Sequence, residues 1–276
     1  MSAFERINAI IVNYKTADLT RKCVESLIAL NIALPEDVVV VENSSPDNSF
    51  KRLKTTLPAG VRLVRASINR GFGSGVNFGM VACRHDLVVV LNPDTYFTDR
   101  SIDRAINVMK NESDIGLVGL DLLYPNGRRQ YSARRFYSVL DILARRSPLG
   151  KLSGFRRRAE THMMYDSWRH DSPFEAEWVM GTGFIVRREI FEDLGGMDER
   201  YFLYMEDVDF CARAWQAGYR VVCVPGAHLT HEHQRESAAG IFSWAGRKHL
   251  KSLLLFRSKY RLPWGERPGV DGLARR

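Results

Sequence analysis

Three apolar stretches limit the fold more than any other feature of the chain: residues 7–14 (INAIIVNY), 38–41 (VVVV) and 87–91 (LVVVL). A strand with one wet face alternates apolar and polar side chains. These runs are apolar at nearly every step, so both of their faces have to be covered. Helix-like spacing lies between them. Leu19, Cys23, Leu27 and Leu30 recur at three- and four-residue intervals behind a cap at Asp18 or Thr20. A second helix is predicted around residues 76–83, after a weaker strand at Leu63 and Val64. This alternation predicts an α/β fold with a mostly parallel central sheet and helices on both faces. Ligands of such sheets bind beyond the carboxyl ends of the strands, where Tyr14, Glu42 and Asp94 fall.

The second half reads differently. A strand is predicted at 178–186 (WVMGTGFIV), a helix at 188–194 stopped by Gly195 and Gly196, and a helix at 206–217 closed by Gly218. A short strand at 221–224 and a basic helix at 243–260 follow. Between the halves, Arg128-Arg129, Arg134-Arg135, Arg145-Arg146 and Arg156-Arg157-Arg158 stand in a stretch with little periodicity, expected to be a surface excursion with short helices. Four segments result: 1–124, a basic excursion at 125–177, 178–240, and a basic C-terminal helix and tail at 241–276. The net charge of +8 is a remainder, because residues 1–124 balance at zero, 125–170 carry +8, 171–244 carry −7 and 245–276 carry +7.

Several classes drop out. With 45% apolar and 26% charged residues the chain has the composition of a packed domain rather than a disordered one. No apolar run approaches the ~20 residues of a membrane-spanning helix, and the first residues lack the pattern of a secretory leader. Cys23, Cys83, Cys211 and Cys223 form no CxxC pair and read as reduced, buried thiols, which fits a cytoplasmic setting.

Four clusters carry chemistry. Asn69-Arg70-Gly71-Phe72-Gly73-Ser74-Gly75 precedes a helix, where backbone amides can approach a phosphate; a flexible turn explains it equally well. Asn92-Pro93-Asp94 ends an all-apolar strand, a rigid seat for a carboxylate on a divalent cation, although a plain turn and helix cap uses the same residues. Glu206, Asp207 and Asp209 stand at a helix start among aromatics. They favour the helix dipole, but burying them requires pairing, protonation or a metal. Glu206 and Asp209 share a helical face and Asp207 points elsewhere. His228, His231 and His233 do not form a zinc-helix signature, and one ligand among them is more plausible than a full site.

Their order along the chain, from Ile10–Tyr14 through Glu42, the Asn69 segment, LNPDT, the glycines at 181–183 and YMEDVDF to His231, closely resembles the family 2 inverting glycosyltransferases of GT-A fold. Within that family, LNPDT and YMEDVDF look most like rhamnosyltransferases of bacterial surface-polysaccharide assembly. The resemblance implies that 1–124 is the nucleotide-sugar-binding half and 178–240 the acceptor and catalytic half of one domain. It implies that Tyr14 and Glu42 hold the base and ribose of the donor, with Asn69, Gly71 and Gly75 also on the donor side. The family more often has Asp where Glu42 stands. Asn92-Pro93-Asp94 occupies the Asp-x-Asp place, so Asp94 takes Mg²⁺ or Mn²⁺, Asn92 a ribose or polar contact, and His231 completes the metal shell. Asp207 matches the catalytic base, Glu206 helps to hold the acceptor, and Trp178 and Gly181 shape the acceptor pocket.

The implied reaction is a metal-dependent single displacement that inverts the anomeric carbon. The expected donor is dTDP-rhamnose, with a UDP-sugar as the alternative, and the expected acceptor is a saccharide, lipid-linked by resemblance. A nucleotidyltransferase would need a basic phosphate loop near the first strand, where only Lys15 stands. A nucleic-acid-binding protein would use the arginine clusters with Phe136, Tyr137, Phe155 and Trp168, but the acidic 171–244 block breaks a continuous basic face, so no nucleic acid is expected. The basic stretches at 128–169 and 247–261 instead suggest an anionic membrane surface, placing a cytoplasmic enzyme at the inner face of the cell membrane.

Overall fold

Alternate residues of the apolar runs enter opposite cores. A computed structural model of the chain describes residues 6–146, 152–232, 243–266 and 268–272. In strand β1 (Asn8–Asn13), Ile10 and Val12 join one apolar cluster while Ala9 and Ile11 join the other. The same division separates Val39 and Val41 from Val38 and Val40 in β2 (Val38–Glu42). Helices α1 (Ala17–Ala29) and α2 (Ser49–Thr56) cover the second face through Cys23, Val24, Leu27 and Leu53. The buried stripe of α1 runs through Ala17, Thr20, Cys23, Val24 and Leu27, so the expected stripe is rotated; Leu19 and Leu30 are half-exposed at its margins. Strand β3 (Arg62–Arg65) matches the weak run at Leu63 and Val64.

Helix α3 (Phe72–Met80) starts four residues before its first buried valine, Val76, and packs on the other face. It lies unusually close to β1, because a Cβ on Gly75 would come within 2.6 Å of Val12 Cγ1. Strand β4 (Leu87–Leu91) follows as predicted, then β5 (Thr95–Tyr96), α4 (Ile102–Asn111) and β6 (Ile115–Leu123). The arginine-rich segment holds β7 (Ala133–Arg134), α5 (Val139–Arg146), α6 (Ser153–His162) and β8 (Phe174–Glu175). The run at 178–186 is not one strand. It divides at Met180–Thr182 into β9 (Trp178–Val179), which pairs with β7, and β10 (Gly183–Arg187), which enters the main sheet. Helices α7 (Arg188–Asp193) and α8 (Glu206–Gln216), strand β11 (Arg220–His231) and helix α9 (Trp244–Lys259) complete the order.

The main sheet runs β3-β2-β1-β4-β10-β6-β11-β5, with β8 also on β11. Its first four strands are parallel; β10 is antiparallel to both β4 and β6, and β6 and β11 are parallel again. Strand β11 is far longer than the predicted 221–224. It continues through Pro225 and Gly226 by a register shift between Val224 and His228. Gly226 adopts φ +76°, and its N–H donates to Asp121 Oδ2 at 2.9 Å. That bulge carries the strand to His231, which pairs with Thr95.

Of Phe136, Tyr137, Phe155 and Trp168 in the basic excursion, two face inward. Phe136 and Trp168 are core residues. Arg129 grips buried Asp121 through two bonds of 2.8 Å, and Arg158 pairs with buried Asp141 at 2.9 Å. Among the described residues no helix is long and apolar enough to cross a membrane.

Candidate active site

The carboxyl ends of β1, β2 and β3 form one edge of the site. Asn13, buried at the end of β1, accepts hydrogen bonds at Oδ1 from Thr16 N, Thr16 Oγ1 and Thr20 Oγ1, which fixes the turn into α1. Tyr14 projects next to it and is 39% exposed, with the Lys15 ammonium 5.3 Å from its ring centre. Glu42, paired in register with Asn13, is fully buried. Its Oε1 accepts from Ser45 N at 2.6 Å, while Oε2 lies 3.3 Å from Arg65 Nε without a hydrogen bond. Asn43 extends this edge: its Nδ2 donates to Gly71 O at 3.0 Å and Asn69 Oδ1 at 3.2 Å, and Gly71 N donates back to Asn69 Oδ1.

The glycines of that loop have a packing cause. Gly71 sits at φ +108°, and a Cβ there would run into the backbone of Phe202. Gly75 faces Val12 rather than the open edge. Its missing side chain lets α3 touch the sheet. Asn69 and Gly71 are tied to the end of β2 through Asn43.

Two candidate metal ligands meet at the end of β4. Glu232 N donates to Asp94 O at 2.9 Å, closing the β5–β11 pairing beside the Asn92–Asp94 turn. His231 Nε2 then lies 3.2 Å from Asp94 Oδ2. Two ligand atoms in adjacent positions around a cation with bonds of roughly 2.1 Å are about 3 Å apart, so this pair has the spacing of neighbouring ligands. Asp94 is mostly shielded and His231 nearly buried, with exposures of 17% and 5% for their side chains. No group of three or more His, Cys, Asp or Glu able to hold a metal occurs among the described residues. His228 points elsewhere, 3.9 Å from Asp121, and His233 lies outside the described residues.

The acidic helix start separates its three carboxylates. Asp209 is fully buried and held by Arg213 at 2.9 Å, by Lys259, and by the Tyr201 and Tyr260 hydroxyls at 3.3 Å. It ties α8 to α9. Asp207 accepts from Gly181 N at Oδ2 and from Val208 N at Oδ1, each at 2.9 Å. Glu206 is buried beside it, and its Oε2 has no hydrogen-bond partner.

Burial, then the neighbouring Asp207 charge, pushes the Glu206 carboxyl up to about 8, so it is neutral at pH 7. Burial also raises Asp207, but the Gly181 and Val208 amides and the charge of Arg134 oppose the shift. Two backbone donors at Asp207 and none at Glu206 Oε2 distinguish the two carboxyls. Tyr204 and Met205, both left-handed at φ 67° and 69°, lead directly into Glu206. Such backbone is strained for non-glycine residues and concentrates at functional sites.

Gly181 and Thr182 join the two clusters. Gly181 N binds Asp207, and Thr182 O accepts from Asn92 N at 2.9 Å. Trp178 does not join them. It is buried, its Nε1–H donates to Arg135 O, and it packs beside Tyr137. Sequence reading missed Asn13, Asn43, Thr182, Arg134 and Gln130. A polar residue ending an all-apolar strand, as at Asn13, is a readable signal; nothing local marks the others.

Sheet order, helix placement and a carboxylate pair beyond the strand ends define a nucleotide-sugar transferase type of fold. The family model "Glycosyltransferase like family 2" matches residues 5–247, and the chain belongs to that family of glycosyltransferases. Over 256 residues it is 29% identical to the N-acetylglucosaminyl-diphospho-decaprenol L-rhamnosyltransferase of Mycobacterium tuberculosis, covering 88% of this chain and 81% of that protein. It is 24% identical to the rhamnosyltransferase WbbL of Escherichia coli over 262 residues, covering 92% and 93%. Among solved structures, GalNAc-T7 with UDP, GalNAc and Mn²⁺ superposes with a TM-score of 0.64 at 14% identity, over 95% of this chain; the chain spans about half of that protein, 49%. That likeness establishes a shared fold.

Proposed function

We propose that the protein transfers rhamnose from dTDP-rhamnose, with inversion, to a lipid-linked saccharide in surface-polysaccharide synthesis. The observation that carries the mechanism is the Gly181-Thr182 link, which hydrogen-bonds Asp207 on one side and the Asn92–Asp94 turn on the other. A base and a candidate metal seat are thereby held across two consecutive residues. The donor and acceptor assignments rest on the two rhamnosyltransferase relatives, one of which is named for a decaprenol-linked substrate.

In this reading Asp94 and His231 hold Mg²⁺ or Mn²⁺, which supplies positive charge to the diphosphate leaving group. Tyr14, exposed at the end of β1, stacks on the base, and the buried Glu42 holds the Ser45 turn beneath it. Asp207 accepts the proton of the acceptor hydroxyl as its oxygen bonds to the anomeric carbon and the carbon–phosphate oxygen bond breaks. Neutral Glu206 leaves Asp207 as the charged partner and can donate its proton in a hydrogen bond to the acceptor. Residues 1–124 serve the donor and 178–240 the acceptor.

We further place the enzyme at an anionic membrane face through α9. That helix has no acidic residue, and Trp244, Leu250 and Leu254 are 52%, 46% and 57% exposed beside Arg247, Lys251 and Arg257. Exposed apolar side chains among cations suit an interfacial helix.

The test is transfer from labelled dTDP-rhamnose to a polyprenyl-diphosphate-linked saccharide, with UDP-sugars compared. Asp207→Asn is expected to lower turnover about 10²–10⁴-fold while leaving nucleotide–metal affinity unchanged. A variant keeping most of its turnover removes Asp207 from the role of base.

A further inference from the structure

Gln130 lies in the arginine-rich segment, outside every cluster marked by the sequence, yet it reaches the candidate metal pair. The chain leaves β6 at Leu123, turns through a Tyr124 N–Arg128 O and a Gly127 N–Tyr124 O hydrogen bond, and returns so that Gln130 N donates to Leu122 O at 2.7 Å. Its backbone is thus fixed to the strand that pairs with β11.

The side-chain amide is oriented by what surrounds it. Nε2 donates to His231 O at 2.9 Å and Leu123 O at 3.3 Å, two groups that can only accept. The opposite end of the amide is therefore the oxygen, and Oε1 faces His231 Nδ1 at 2.7 Å. An amide oxygen cannot donate, so the proton of this bond belongs to Nδ1. The other ring nitrogen, Nε2, faces Asp94 Oδ2 at 3.2 Å.

We infer that Gln130 is a positioning residue: it accepts from His231 Nδ1–H, clamps the backbone of the same residue, and aims Nε2, with Asp94, at a divalent cation. The inference rests on the metal reading proposed above. Partners of this kind orient a ligating ring and raise its basicity, and their loss typically weakens metal affinity about 10–100-fold. One amide clamps both the ring and the backbone of His231, so the ring orientation is set before any ligand arrives.

Two measurements test this. In the metal-free protein, long-range ¹⁵N–¹H correlation spectra of His231 should show the Nδ1–H tautomer, and an Nε2–H tautomer overturns the inference without reference to metal. Second, Mn²⁺ affinity is measured by electron paramagnetic resonance with dTDP present, for the wild type, Gln130→Leu, Gln130→Glu and His231→Ala. Gln130→Leu should weaken Mn²⁺ roughly 10–100-fold, and Gln130→Glu, which still accepts from Nδ1, should recover most of that loss. If His231→Ala weakens Mn²⁺ at least tenfold while Gln130→Leu stays within about twofold of wild type, Gln130 has no positioning role. If His231→Ala itself leaves Mn²⁺ binding unchanged, the metal reading fails instead.

Discussion

Replacing Asp209 by alanine separates the structural carboxylate of the acidic helix start from its chemical neighbours. Asp209 is completely buried and shared by Arg213 and Lys259, whose side chains are 11% and 16% exposed. Removing one partner of a buried ion pair costs about 3–5 kcal/mol, because the remaining charge stays desolvated. Lys259 keeps Asp198 Oδ2 at 2.9 Å, and Arg213 keeps Leu194 O at 2.6 Å, so the lower end, about 3 kcal/mol, applies. For a chain of this size each kcal/mol lowers the melting temperature by about 2–4 °C, which gives a fall of about 6–12 °C. Calorimetry reads it directly, and Lys259→Met in the Asp209→Ala background should show a coupling of about 1–3 kcal/mol. A variant that melts within roughly 2 °C of wild type yet loses transfer would refute the argument and make Asp209 part of the chemistry.

Further outcomes are specific to other groups. Asp94→Ala should abolish the metal dependence of nucleotide binding, and unchanged calorimetric affinity with and without Mn²⁺ would contradict a metal at Asp94. The native state keeps a proton on Glu206 that the unfolded chain, with its ordinary value of 4.5, releases. Stability due to this group is therefore present below about pH 4.5 and lost as pH rises through about 8. The wild-type melting temperature, compared with Glu206→Gln, should fall between pH 5 and 8; a constant difference would count against a neutral Glu206. Flotation with vesicles containing anionic phospholipid should retain the wild type, and Lys251→Glu with Leu254→Glu should release it. Equal recovery on neutral vesicles would sink the membrane role of α9.

The continuous apolar runs made the parallel half legible, because strands buried on both faces need no particular partner to be recognised. The acidic helix was also legible, from its bounding glycine and its periodicity. Other elements were hidden by their own residues. Pro225-Gly226 reads as a turn, yet the Gly226 N–H bond to Asp121 converts it into a bulge within β11. The run at 178–186 reads as one strand, yet Met180–Thr182 turns aside to serve Asp207 and Asn92.

Local sequence by itself determined which segments are strands and helices of the first sheet half, and that two carboxylate clusters stand at element ends. Those properties follow from periodicity and caps within a few residues. Which carboxylate is met by two amides, which is a structural anchor, and which histidine meets Asp94 were decided by the tertiary structure alone. Desolvation, hydrogen-bond donors and counter-ions arrive from strands and helices distant in the chain: Gly181 and Arg134 at Asp207, Lys259 at Asp209, Gln130 at His231. No local pattern encodes partners brought together by sheet register and helix packing.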